Sequence, residues 1–214
     1  MKRHPLRNII KLHIKEHSSI YLFVSILFMM GIIFGAIVVN SMSISQKQDL
    51  FLYLSRFFGQ VSQGEFASAN EMFLQSYFHQ LKYIGLMWIL GISIIGLPVI
   101  LVLLFLKGIV VGFTVGFLVN QLGWNGFVLS VVAVLPQNII IIPAFVIIGT
   151  VAISFSLRLI GQLFVKRTNL PFKQLFAKYV GLAFVICCVV GFASAFEAYS
   201  SPMLMKQVIG TIIK

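Results

Sequence analysis

The sequence predicts an all-α, polytopic integral membrane protein: five transmembrane helices, an outer amphipathic helical segment between the first and second spans, and a proline-broken fourth span. Three observations carry this. The 214 residues are 59% hydrophobic and only 10% charged, the balance of a membrane protein. Uncharged apolar runs of the ~20 residues a span requires recur along the chain. The sixteen basic residues gather in particular stretches, so the net charge of +11 is read as a topology signal, with no nucleic acid as partner. The whole chain, 1–214, forms a single membrane domain.

Residues 1–19 carry Lys2, Arg3, Arg7, Lys11 and Lys15 against Glu16, with Pro5 suited to a first helical turn. They predict a basic helix on the cytoplasmic leaflet, where each cation near anionic lipid gains about 1 kcal/mol. The histidines there belong to its solvated face. Residues 20–39 form the first span, and Gly31 and Gly35 repeat at four residues within it.

Residues 40–82 form an extracytoplasmic helical segment. Leu50, Leu54, Phe57, Phe58 and Val61 share one side of a first helix; Ser62 and Glu65 have the spacing of a capping box for a second, which shows Phe66, Phe73, Tyr77 and Leu81. These aromatics either lie on the bilayer surface or form a docking face for another protein, with Phe57, Phe58, Phe73 and Tyr77 its candidate contacts.

The second span is assigned to residues 83–106, kinked at Pro98 and ended by a tight turn at Lys107. The third, 108–122, carries Gly108, Gly112 and Gly116, a face that admits a neighbouring helix closely. This face is expected to join the third and fourth spans; it also suits a homodimer, unless it is used within one chain. After the turn signal Gly123-Trp124-Asn125-Gly126, the fourth span runs from 127 to 157. Pro136 and Pro143 each remove a backbone donor, so unwinding is expected between them, beside Gln137 and Asn138. A basic stretch follows at 158–178. The last span is 179–196, with Tyr179 and Tyr199 as interface anchors, and 200–214 form an apolar tail.

Five spans place the termini on opposite sides. A cytoplasmic N-terminus and extracytoplasmic C-terminus put residues 1–19, Lys107 and the stretch from Arg158 to Lys178 inside, and Asp49, Glu65, Glu71 and Glu197 outside.

Catalytic chemistry is not expected. From Tyr83 to Leu157 the one charged side chain is Lys107, assigned to a turn, and Glu197 comes only as the last span ends. Ser93, Ser130, Ser154 and Ser156 have no membrane-embedded histidine as base. There is no GxxxxGK[ST] loop, no metal-ligand spacing and no implied cofactor, and Cys187 and Cys188 read as small apolar residues. The residues describe a catalytically empty membrane bundle with an outward helical segment; a passive channel or carrier for a neutral or lipidic substrate through the broken region 136–143 is the functional alternative they offer.

The run GIVVGFTVGFLVNQLGWNG followed by LPQNIIIIPAFVIIG, behind a basic N-terminus, one span and an outer helical segment, resembles the stage II sporulation protein M family over nearly the whole chain. Many relatives resemble P-H-G-x-x-E-x-P-A here; this chain has Gln137 at the histidine, Asn138 at the glycine and Ile141 at the glutamate. The resemblance implies a cell-membrane protein needed for engulfment, located at the septal membrane around the forespore. It further implies that the chain holds the peptidoglycan-degrading stage II sporulation proteins D and P there.

Overall fold

The computed structural model describes residues 17–63, 68–165 and 172–212, and within them the side chains of 57, 58, 61–63, 162–165, 172, 174 and 200–212 are left aside. The basic segment 1–16 lies outside the described residues. Six helices follow in order: α1 (Ser18–Ser41), α2 (Ile44–Gln63), α3 (Ala69–Ile92), α4 (Gly96–Ala133), α5 (Leu135–Val165) and α6 (Phe172–Ile212). Four stretches are long and apolar enough to cross a membrane: Ser18–Ser41, Gly96–Ala133, Leu135–Gly161 and Leu175–Tyr199.

The expected second and third spans are not separate units. Residues 83–106 are divided at Ser93, whose extended backbone ends α3, and the chain turns back at Gly96, where a Cβ would collide with the Leu90 carbonyl. Gly96 therefore permits a turn that another residue would obstruct. Pro98 falls in the first turn of α4, where its missing N–H costs nothing, so it opens a helix instead of kinking one. Lys107 lies well inside α4, with no turn near it.

α3 begins downstream of the expected capping box. Ser68 accepts from the Glu71 backbone N–H at 3.3 Å, and the Ser68 N–H donates to the Glu71 carboxylate at 3.1 Å. This is the same device six residues later, with Ser62 still inside α2.

The turn signal at Gly123 holds. Its φ of 56° and ψ of −129° interrupt α4, and Gly126 then packs against the Leu118 carbonyl. The next break falls at Val134, upstream of Pro136, and α5 continues helical through Pro143. The physical reason is position. Pro136 is the second residue of α5, where it needs no intrahelical partner, and Pro143 points outward from the bundle. Asn138 Nδ2 donates to the Val134 carbonyl at 2.7 Å, satisfying an acceptor at the break.

Helix directions follow from paired residues. Phe28 meets Gly108, Ile32 meets Gly112 and Ala36 meets Gly116, while Asn120 Nδ2 donates to Asn40 Oδ1 at 3.3 Å, so α1 and α4 run parallel. α3 and α5 run the other way: Gln80 pairs with Lys107 of α4, Gly91 abuts Ala152, and Ser156 donates to the Ser93 carbonyl. α6 returns antiparallel to α3, with Tyr179 beside Trp88 and Gly191 facing Tyr77.

α5 is the central helix. In its most apolar window 67% is buried, against 22–28% for the other three candidate spans, so α5 faces protein while they face outward over most of their surface. Ile141, Phe145 and Ile148 of α5 pack with Ile84 and Met87 of α3, Ile100 and Leu104 of α4 and Val190 of α6. Tyr179 is 2% exposed, stacks on Phe155 at 4.4 Å and donates to the Trp88 carbonyl at 2.7 Å. It is a core residue, in contrast to the expected anchor; Tyr199, at 73% exposure, remains outward.

Candidate functional site, a polar cluster inside the bundle

The apolar interior contains one constellation of polar side chains drawn from four helices. α3 carries Ser76 and Gln80 four residues apart, one helical turn, so both face inward; α4 supplies Lys107, α5 Gln137 and α6 Ser194 and Glu197. Ser76 Oγ and Gln137 Nε2 both donate to Glu197 Oε2. Gln137 also reaches Ser76 Oγ, and Ser76 reaches Ser194 Oγ, each at 3.4 Å. Lys107 Nζ donates to Gln80 Oε1 at 3.1 Å and lies over the rings of Phe145 and Tyr83, 5.1 and 5.5 Å from their centroids.

The placement of Lys107 corrects the expectation of a turn residue. It stands about 16 Å along α4 from Gly96 at 1.5 Å per residue. Burying such a cation is costly unless it is paired, and here an amide oxygen, two aromatic faces and the field of Glu197 compensate it. Glu197, about 27 Å along α6 from Tyr179 on the same rise, is likewise held inside the bundle. The interior is therefore not electrically empty. Lys107 is held by the Gln80 amide of α3, and Glu197 by Ser76 of α3 and Gln137 of α5.

The four residues expected to form the broken-helix site part company. Gln137 enters the cluster, Asn138 serves its own backbone, Pro136 opens α5 and Pro143 is exposed. Ile141, at the position where relatives carry glutamate, is wholly buried and apolar. The unwound backbone that a carrier site between 136 and 143 would use is replaced by continuous helix.

Gly108, Gly112 and Gly116 meet α1, not α5. A Cβ at Gly108 would lie 2.5 Å from the Phe28 carbonyl oxygen, one at Gly112 would strike the Ile32 carbonyl, and one at Gly116 would come 3.1 Å from Ala36 Cα. Gly31 and Gly35 are the reciprocal half, against Phe105 and Ile109. The ladder is used within the chain.

Among the expected docking residues, the side chains of Phe57 and Phe58 lie outside those described. Phe73 and Tyr77 stack on each other at 5.7 Å, and Tyr77 packs on the core beside Gly191. The outward apolar residues nearby are Leu74 and Phe78 on α3 and Leu52 and Tyr53 on α2.

Sequence reasoning missed Ser76, Gln80, Lys107 and Glu197 as a set. The available signal was the buried stripe Gln80, Ile84, Met87 and Gly91 of α3, whose polar end continues to Ser76. It missed also that His17 joins helix ends: Arg158 Nη2 donates to His17 Nε2 at 3.1 Å, which leaves Nδ1–H to meet Ser154 Oγ at 3.4 Å. Among the described residues no group of three His, Cys, Asp or Glu stands together to hold a metal ion.

Apolar helices of spanning length, glycine-mediated contact and an interior polar cluster define a polytopic helical membrane protein. Residues 24–202 match the family model described as Stage II sporulation protein M, SpoIIM, which is most of the chain, and the chain belongs to that family. No curated protein and no solved structure is significantly similar to it. Membership places the protein in the membrane side of sporulation, with an implied role in engulfment.

Proposed function

We propose that the chain is a non-catalytic membrane scaffold that anchors peptidoglycan-degrading partners, the stage II sporulation proteins D and P, at the septal membrane during forespore engulfment. The observation that carries this reading is α2. It is a 20-residue helix with half-buried Leu50, Phe51 and Leu54 toward the bundle and exposed Leu52 and Tyr53 away from it, held chiefly against α6. A helix seated in this way presents a fixed apolar and aromatic surface beyond the membrane spans, as a scaffold requires. The passive channel or carrier reading gains no comparable support, because α5 stays helical where it would need open backbone.

The helix directions support a five-pass topology. α1 and α4 are parallel, and we read α3 as the segment that brings the chain back between them. Its apolar half, 83–92, sits in the bundle, and its polar first half carries Ser76 and Gln80 inward. With a cytoplasmic N-terminus, α2 and the outer end of α6 are extracytoplasmic, where wall-degrading partners act. The scaffold reading is tested by pull-down of the partner proteins from sporulating cells: variants of the α2 outer face should lose them while the membrane level of the chain is unchanged. Retained partners would overturn the reading of α2.

A further inference from the structure

Helix packing alone does not account for the interior charges. Backbone contact at Gly108, Gly112 and Gly116 joins α1 to α4, and Ile141, Phe145 and Ile148 fill the centre. Charged groups held within a bundle are commonly no more stabilising than apolar groups of similar volume. Ionisable groups at bilayer depth mark proton or ion pathways.

We propose that Glu197 is a proton-exchange site reached from the outer face, and that a proton bound there loosens α6 from α3 and α5. Glu197 lies near the C-terminal end of the span Leu175–Tyr199, which the topology proposed above places outside, two residues before the exposed Tyr199, and it is itself only partly buried. It is faced by Ser76 of α3 and Gln137 of α5, with Ser194 on its own helix beside Ser76; Lys107 of α4 is the charged group acting on it, and His79 of α3 lies in turn in the field of Lys107.

In the ionised state one carboxylate oxygen accepts from both Ser76 and Gln137, which ties three helices together. A hydronium ion delivers its proton to the carboxylate and leaves as water. The neutral acid keeps a carbonyl oxygen as acceptor, but the two incoming bonds lose their charge assistance and weaken. Ser76 has Ser194 to turn to, and Lys107 keeps Gln80 and its aromatic faces.

The test uses the full chain in phospholipid nanodiscs. Infrared difference spectra across a pH titration should show a protonated-carboxyl C=O band that Glu197→Gln removes; signals from other acids remain in both proteins and cancel. Spin labels at Leu74→Cys and Phe196→Cys, with Cys187 and Cys188 replaced by alanine, should give a distance distribution that broadens as the band appears. Glu197→Gln should be broad at every pH. Should that variant fail to fold, the double variant Lys107→Met/Glu197→Gln removes both charges and should fold with neither band nor pH-dependent broadening. A band that persists without Glu197, no titrating band, or a titrating band with an unchanged distance distribution would each overturn the proposal.

Discussion

Gln137 of α5 and Glu197 of α6 are joined by a hydrogen bond inside the bundle, and Ser76 of α3 donates to the same carboxylate oxygen. Removing one donor leaves the acceptor partly unsatisfied, and an unmade buried hydrogen bond costs about 1–3 kcal/mol. Gln137→Leu should therefore lower the thermal unfolding temperature in detergent, while Asn138→Ala, which loses a bond within its own helix, should do so less. Equal losses would show that the Gln137 contact is not the stronger of the two.

The charge pair gives a second prediction. Lys107 and Glu197 act on each other through the interior field and each keeps its own polar partners, so removing one charge should cost less than the ~3–5 kcal/mol of breaking a direct buried pair. Lys107→Met and Glu197→Gln should each lower stability, and the double variant should lose less than the sum of the two single losses. Chemical unfolding of the four proteins in one detergent provides the cycle; additive losses would mean that the charges do not act on each other.

Helix contact gives a third. Leucine at Gly112 would drive a side chain into the Ile32 backbone, which cannot yield as a flexible side chain can, and forced overpacking costs about 1–3 kcal/mol or more. A disulfide between Asn40→Cys and Asn120→Cys, whose amides now meet at 3.3 Å, should form readily in the parent and fail in Gly112→Leu. Crosslinking that survives the substitution would place the contact elsewhere.

These residues also show what the sequence disclosed. The membrane class, the four-residue glycine repeat and the turn at Gly123 were legible, because composition, helical period and a residue suited to positive φ are local signals. Which helix the glycines meet was not: Gly108, Gly112 and Gly116 show that a close neighbour is accepted, but only the fold selects α1 over α5. The boundary near Ser93 was hidden because residues 83–106 are continuously apolar, and the tight return at Gly96 does not alter hydropathy. Lys107 looked like a turn residue for the complementary reason: a lone cation in an apolar run reads as an end until Gln80, Tyr83 and Phe145 appear around it.

Topology gives a fourth prediction. In a background with Cys187 and Cys188 replaced by alanine, a membrane-impermeant maleimide should label Ser55→Cys on α2 from outside intact cells. Lys173→Cys, exposed near the start of α6, should react only after the membrane is opened. Both reacting from outside would remove α3 as a membrane pass and with it the outward placement of α2.

The docking surface on α2 gives the last. Leu52 and Tyr53 are 56% and 69% exposed, adjacent, and on the side of α2 turned from the bundle, whereas Phe73 is stacked on Tyr77, which packs on the core. Loss of a large aromatic anchor from an interface costs about 2 kcal/mol or more, roughly a thirtyfold loss of affinity. Leu52→Ala with Tyr53→Ala should therefore leave the chain folded and at its normal membrane level yet release the wall-degrading partner, whose fluorescent fusion should turn from septal to diffuse. Phe73→Ala should instead weaken the bundle, lowering the unfolding temperature of the purified chain, because its ring packs on Tyr77. Unchanged septal localisation in the α2 variant, together with partner loss in Phe73→Ala at full protein level, would move the docking surface from α2 to the outer part of α3.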